Sequence, residues 1–126
     1  MSEVKKEQAL LKEELQVLFK EEINLRQELL GHLTQIEHAL SIRDNVLVEI
    51  LERECGGLKQ PLHFFAKKRH ILIQRAVTLF SSDCEQRNLE SLLMPGEETL
   101  LLYETLYLLI EKIPGQQIRN QAIDPM

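Results

Sequence analysis

Few of the side chains able to do chemistry fall into a pattern that chemistry needs. His63 and His70 are seven residues apart and would share one helix face, the placement of a two-histidine metal site. No carboxylate or cysteine accompanies them at ligand spacing, and the chain has neither Cys-x-x-Cys nor Glu-x-x-His. Solvated surface histidines are the better reading, and His38 invites the same one. The acids come in adjacent pairs, Glu13 with Glu14, Glu21 with Glu22 and Glu97 with Glu98. Neighbours on a helix point about 100° apart, so such pairs do not converge as acid and base on one reacting atom. There is no glycine-rich phosphate loop and no serine or cysteine in a recognisable nucleophile setting. The expectation is a non-catalytic protein without cofactor or metal.

The elements that carry these residues are helices. Leu11, Leu15, Leu18, Leu25, Leu29, Ile36 and Leu40 recur at alternating fours and threes, the seam of one long helix. Glu22 and His32 interrupt that seam, and Val17, Phe19, Leu33 and Ala39 are expected to widen it. A helix from Ser2 to about Leu40 is close to 60 Å long at about 1.5 Å per residue, so something extended must lie along it. Gly31 sits inside the pattern, where a slight bend or a close helix contact would explain it. Lys12, Glu14, Lys20, Glu21, Arg26, Gln27 and Glu28 fall between seam positions as a solvated face.

Ser41 to Asp44 reads as a capping box with a tight reversal; a single uninterrupted helix through Cys55 is the alternative. Val46, Leu47, Ile50 and Leu51 make a second, shorter apolar stripe, which stops at Gly56 and Gly57. Pro61 suits the first turn of a third helix running to Phe80. Its inward residues would be Leu62, Phe65, Leu72, Ala76, Leu79 and Phe80, with Arg69 breaking the stripe. Ser82 with Glu85 makes another capping box for a short helix to about Leu93, and Pro95 with Gly96 forms a turn. The last helix opens at Glu97 and Glu98 and is expected to close at Pro114 and Gly115. That places a single helical domain over residues 1–115 and a flexible tail over 116–126.

The last helix is unusually apolar. One stripe is Leu102, Leu106, Leu109 and Ile113; a second, about 100° round, is Leu100, Tyr103, Tyr107 and Ile110, with Leu101 and Leu108 on the remaining side. Such a helix is either central to a bundle or buried partly by something outside its own chain. Two tyrosines suit an interface, since each joins an apolar ring to a polar tip.

The whole chain of 126 residues has 44% apolar and 28% charged residues, which fits one folded helical domain. Its net charge of −5 disfavours nucleic acid, and the only basic cluster is Lys67, Lys68, Arg69 and His70. The charged start MSEVKKEQALLKEE is unlike a signal peptide, and no apolar run is long enough to span a bilayer. The expectation is a cytoplasmic protein in which Cys55 and Cys84 remain reduced.

The stretch from Glu37 to Leu51, with Glu37, Ala39, Leu40, Arg43, Asp44, Leu47 and Leu51, resembles the middle of FlgN-type chaperones of flagellar type III secretion. The wider layout is similar: a long first helix, a turn near an aspartate, a return arm with an arginine such as Arg69 ahead of an apolar run, and an amphipathic C-terminal segment. The chain departs from that pattern at Glu54 and Cys55, where a lysine is expected. The resemblance implies a cytosolic chaperone that holds the terminal helix of an export substrate and delivers it to the secretion apparatus, with the C-terminal region making the contact.

Together these readings predict an all-α fold, an extended antiparallel helical bundle or coiled coil with a long N-terminal helix. The candidate partner-binding residues are Leu100, Leu101, Tyr103, Tyr107, Leu108 and Ile110, offering an apolar face to a partner helix. The same stripes serve equally as core. A second possibility is a self-associating coiled-coil scaffold or adaptor, a homodimer whose seam is covered by a copy of itself.

Overall fold

The computed structural model describes residues 2–80 and 98–122, and every element among them is helical. Helix α1 runs from Ser2 to Ser41, 40 residues without a break, or about 60 Å. The return arm is α2 (Asn45–Gly57) followed by α3 (Lys59–Phe80), and α4 spans Glu98–Ala122. Both parts of the arm pack on α1, α2 against its C-terminal half and α3 against its N-terminal half, and α4 lies along α1 as well. The result is an all-α bundle organised around α1, in which the return arm runs antiparallel to α1 and α4 runs parallel to it, from Thr99 beside Gln16 to Gln116 beside Glu37. The expected Ser82–Glu85 cap, the helix to Leu93, the Pro95–Gly96 turn and Cys84 lie outside the described residues.

The reversal after α1 occurs where expected but uses different atoms. The amide of Arg43 donates to Leu40 O at 3.1 Å and that of Asp44 to Ala39 O at 2.9 Å, which is a Schellman closure with Arg43 as its left-handed residue at φ 59°. Asp44 then caps α2, its Oδ1 accepting from the Leu47 amide at 3.1 Å. Ser41 has no capping role, because its hydroxyl donates back to His38 O at 2.6 Å. Neither Gly56 nor Gly57 is left-handed; α2 ends as Leu58 stays in right-handed geometry and passes its neighbour straight into α3.

The core has two parts. Leu11, Leu15, Leu18, Phe19 and Ile23 of α1 bury against Leu72 and Ala76 of α3 and Leu100, Leu106 and Leu109 of α4. Toward the reversal, Leu33 and Ile36 meet Leu51 of α2 and Ile113 of α4. Leu62, Phe65, Phe19, Leu33 and Ala39 therefore face inward as their spacing predicts. Val17 does not: it sits 200° from Leu15 by helical periodicity and is 57% exposed. Val46 and Ile50 are exposed too, so Leu51 with half-buried Leu47 carries the α2 stripe. A Cβ on Gly31 would meet nothing within 4 Å, so this glycine makes no close helix contact.

The expected end of the last helix at Pro114 and Gly115 is corrected, and with it the flexible tail over residues 116–122; residues 123–126 of that tail lie outside the described residues. Helix α4 continues through both residues to Ala122. Proline removes one backbone hydrogen bond and crowds the preceding turn, which ordinarily ends or kinks a helix. Here the turns beyond it are tied to α1. Gln116 is buried and donates to Glu37 Oε2 at 2.9 Å; Asn120 donates to Leu33 O at 2.9 Å. These ties oppose the local tendency to stop.

Candidate partner-binding surface

The polar residues that break two apolar seams meet each other. Glu22 of α1 is fully buried, and its two oxygens accept from Arg26 Nε at 2.8 Å and Arg69 Nε at 2.9 Å. Arg69 of α3 extends the network by donating to Tyr107 Oη of α4 at 2.7 Å, with its guanidinium 5.3 Å from the centre of that ring. A buried carboxylate is tolerable only when paired and hydrogen-bonded, and this one is bonded on both oxygens. Sequence periodicity marks Glu22 and Arg69 as interruptions; that they are of opposite charge is the signal that they pair. A second tie, Gln16 Nε2 to Thr99 Oγ1 at 2.8 Å, holds the start of α4, beside the Lys20–Glu98 ion pair at 3.3 Å. The seam's other interruption, His32, lies 3.8 Å from Glu28 and 3.6 Å from Glu54.

This network decides the fate of the apolar α4 residues. Leu100 is buried, Tyr103 and Ile110 pack on the core, and Tyr107 is held by Arg69. Tyr103 also stacks edge-on to Phe19 with ring centres 5.9 Å apart and lies 4.5 Å from Tyr107. The chain's own α1 and α3 thus cover much of that stripe. Leu101 and Leu108, one heptad apart, remain exposed on the outer side of α4 at 52% and 57%.

One turn beyond Ile110, the same side of α4 opens onto a groove. Gln117 and Gln121, which continue that side by helical periodicity, line an open groove together with Asn120. Its floor is Leu33, Ile36 and Leu40 of α1, and its far wall is Val48, Glu52 and Cys55 of α2, with Glu49 and Lys59 at the rim. The groove is thus apolar at its base, amide-rich on one side and acidic on the other. Burial, together with Glu52 and Glu54, pushes the Cys55 thiol up, so at neutral pH Cys55 lines the groove as a neutral and weakly nucleophilic group.

His63 and His70 are both exposed, and among the described residues no group of three or more His, Cys, Asp or Glu converges. No helix among the described residues is long and apolar enough to cross a membrane. No family model, curated protein or solved structure matches the chain.

Proposed function

We propose that this protein is a non-catalytic helix-binding chaperone or adaptor whose groove between α2 and α4 takes the apolar face of a partner's amphipathic helix. One observation carries the reading: the α1 seam, closed by α3 and α4 over its first half, becomes the floor of an open groove at Leu33, Ile36 and Leu40. A helix laid there would bury its apolar stripe on half-buried Leu40 and Val48, above the buried Leu33 and Ile36, while the amides of Gln117, Asn120 and Gln121 meet its polar edge. Glu49 and Glu52 favour a partner with a basic flank. The resemblance to FlgN-type chaperones supplies the client class, the terminal helix of a flagellar export substrate held in the cytosol for the secretion apparatus. Leu101 and Leu108 are the part of the sequence-derived surface that remains open to a client.

The test is a fluorescence-anisotropy titration of the full chain with labelled peptides spanning the terminal amphipathic helices of flagellar export substrates. At least one should bind with a Kd of about 1–10 µM, and Val48→Arg in the groove wall should weaken it by about ten-fold or more. Loss of binding in Leu101→Asp/Leu108→Asp, with Val48→Arg unaffected, would move the site to the outer side of α4. If no amphipathic peptide binds, the chaperone reading fails.

A further inference from the structure

Opposite the α4 side of α1 lies a face that the proposed groove does not use. On α1, Gln16, Phe19 and Lys20 reach α4, whereas Leu10, Glu14, Val17 and Glu21 lie round the other side. These four follow a four-three-four spacing, and so do Phe64, Lys68, Ile71 and Arg75 on α3. All eight are exposed. Two shallow depressions that share Leu10 and Glu14 lie between the helices: in one, over buried Leu18 and Leu72, Lys68 faces Val17 and Glu21, and in the other Arg75 lies level with Leu10 and Glu14, while Phe64 and Ile71 stand further round α3. Each row alternates a large apolar residue with a charge, acidic throughout on α1 and basic throughout on α3. The apolar members are between 55% and 60% exposed, a concentration of large apolar surface beyond the scattered single residues of an ordinary helix face. Lys68 sits 5.9 Å from the centre of the Phe64 ring, and Glu14, Glu21, Lys68 and Arg75 form no ion pair within the chain among the described residues.

The geometry points to this α1–α3 face as a homodimer interface, occupied by the same face of a second copy of the chain. A two-fold axis parallel to the helices sets α1 of one copy on α3 of its partner at the same level along the bundle, and antiparallel, as α1 and α3 already run within each copy. Glu14 and Glu21 then come level with Arg75 and Lys68 of the second copy, and Val17 with its Ile71. Such an interface is isologous, so each attraction occurs twice. The other face-to-face axis, across the helices, would set α1 on α1 and acid on acid, and like charges opposed in an interface are selected against. Charge therefore chooses both the occupant and the axis. The interface lies away from the α2–α4 groove and stands or falls independently of any client.

Sedimentation equilibrium of the full chain tests it with three proteins: wild type, Glu14→Lys/Glu21→Lys, and Lys68→Glu/Arg75→Glu. Wild type should be a reversible dimer in the micromolar range that weakens as salt is raised from about 20 mM to about 0.5 M. Each charge-reversed protein presents one sign on both rows, so its own dimer should weaken by about ten-fold or more. An equimolar mixture of the two variants should form a heterodimer, because each supplies the row the other lacks. Circular dichroism should be unchanged in both, since the altered side chains are exposed. Wild type remaining monomeric up to about 200 µM would overturn the inference. So would dimers of either variant as tight as wild type, or a mixture that fails to associate.

Discussion

The two halves of the bundle treat one helix differently. Over its first half α1 is packed by α3 and α4 on its seam side, with Leu15, Phe19 and Leu106 fully buried and the Glu22–Arg69–Tyr107 network joining all three helices. Over its second half the same seam meets α2 and the end of α4, held by Gln116 and Asn120 at the margin, and a groove stays open. The first half is built for a unique packing, since a buried charge pair tolerates little displacement. The second half leaves Leu40 and Val48 only half-buried beside the groove, a smaller apolar surface that a partner could cover.

The first half depends most heavily on Arg69. Arg69→Met leaves Glu22 buried with one partner, and the expected loss is about 3–5 kcal/mol in urea denaturation. Adding Glu22→Leu should return most of it, because an apolar pair of similar size needs no compensation. A loss below about 1 kcal/mol for Arg69→Met would mean that water reaches the pair and that the closed half is not closed.

A smaller contrast is expected between two leucines. Leu15→Ala, in the enclosed half, should cost about 3–4 kcal/mol, whereas Leu51→Ala, beside the groove, should cost about 2 kcal/mol because its surroundings can collapse inward. Equal costs would argue that both halves are equally rigid. Asn120→Ala tests the margin itself: about 1 kcal/mol of stability should go, and amide exchange over residues 115–122 should speed up while α1 stays protected. Smallest is Gly31→Ala, which meets no neighbour and should stabilise α1 by about 0.5–1 kcal/mol without affecting either half.

Much of this architecture is legible in the residues. The four-three spacing of leucines defines α1, and the reversal near Asp44 is readable because a short polar side chain there can accept from the following amides. Inward Leu62, Phe65, Leu72 and Ala76 of α3 and the Leu102, Leu106, Leu109 and Ile113 stripe of α4 follow from period alone, while the side chains of Leu79 and Phe80 lie outside the described residues. Val17 shows the limit of reading a stripe too widely, since two residues along a helix is nearly the opposite side. The candidate site was legible in part: the apolar excess of α4 can be counted, but counting cannot tell Leu100 and Tyr107, which the chain covers, from Leu101 and Leu108, which it leaves exposed.

Helix against strand, the length of α1, the place of the first reversal and the face each helix prefers to bury are local properties of the residues. These depend on neighbours within about one or two turns, where propensity, capping and period act. Only the tertiary structure decided that α4 runs on past Pro114, that Glu22 and Arg69 pair across 47 positions, and that α2 and α4 leave a groove where α3 and α4 do not. Each of those outcomes is set by groups distant in sequence. A proline that would end an isolated helix is overruled by Asn120 and Gln116 holding α1, and a buried carboxylate becomes tolerable only when a second helix delivers its arginine.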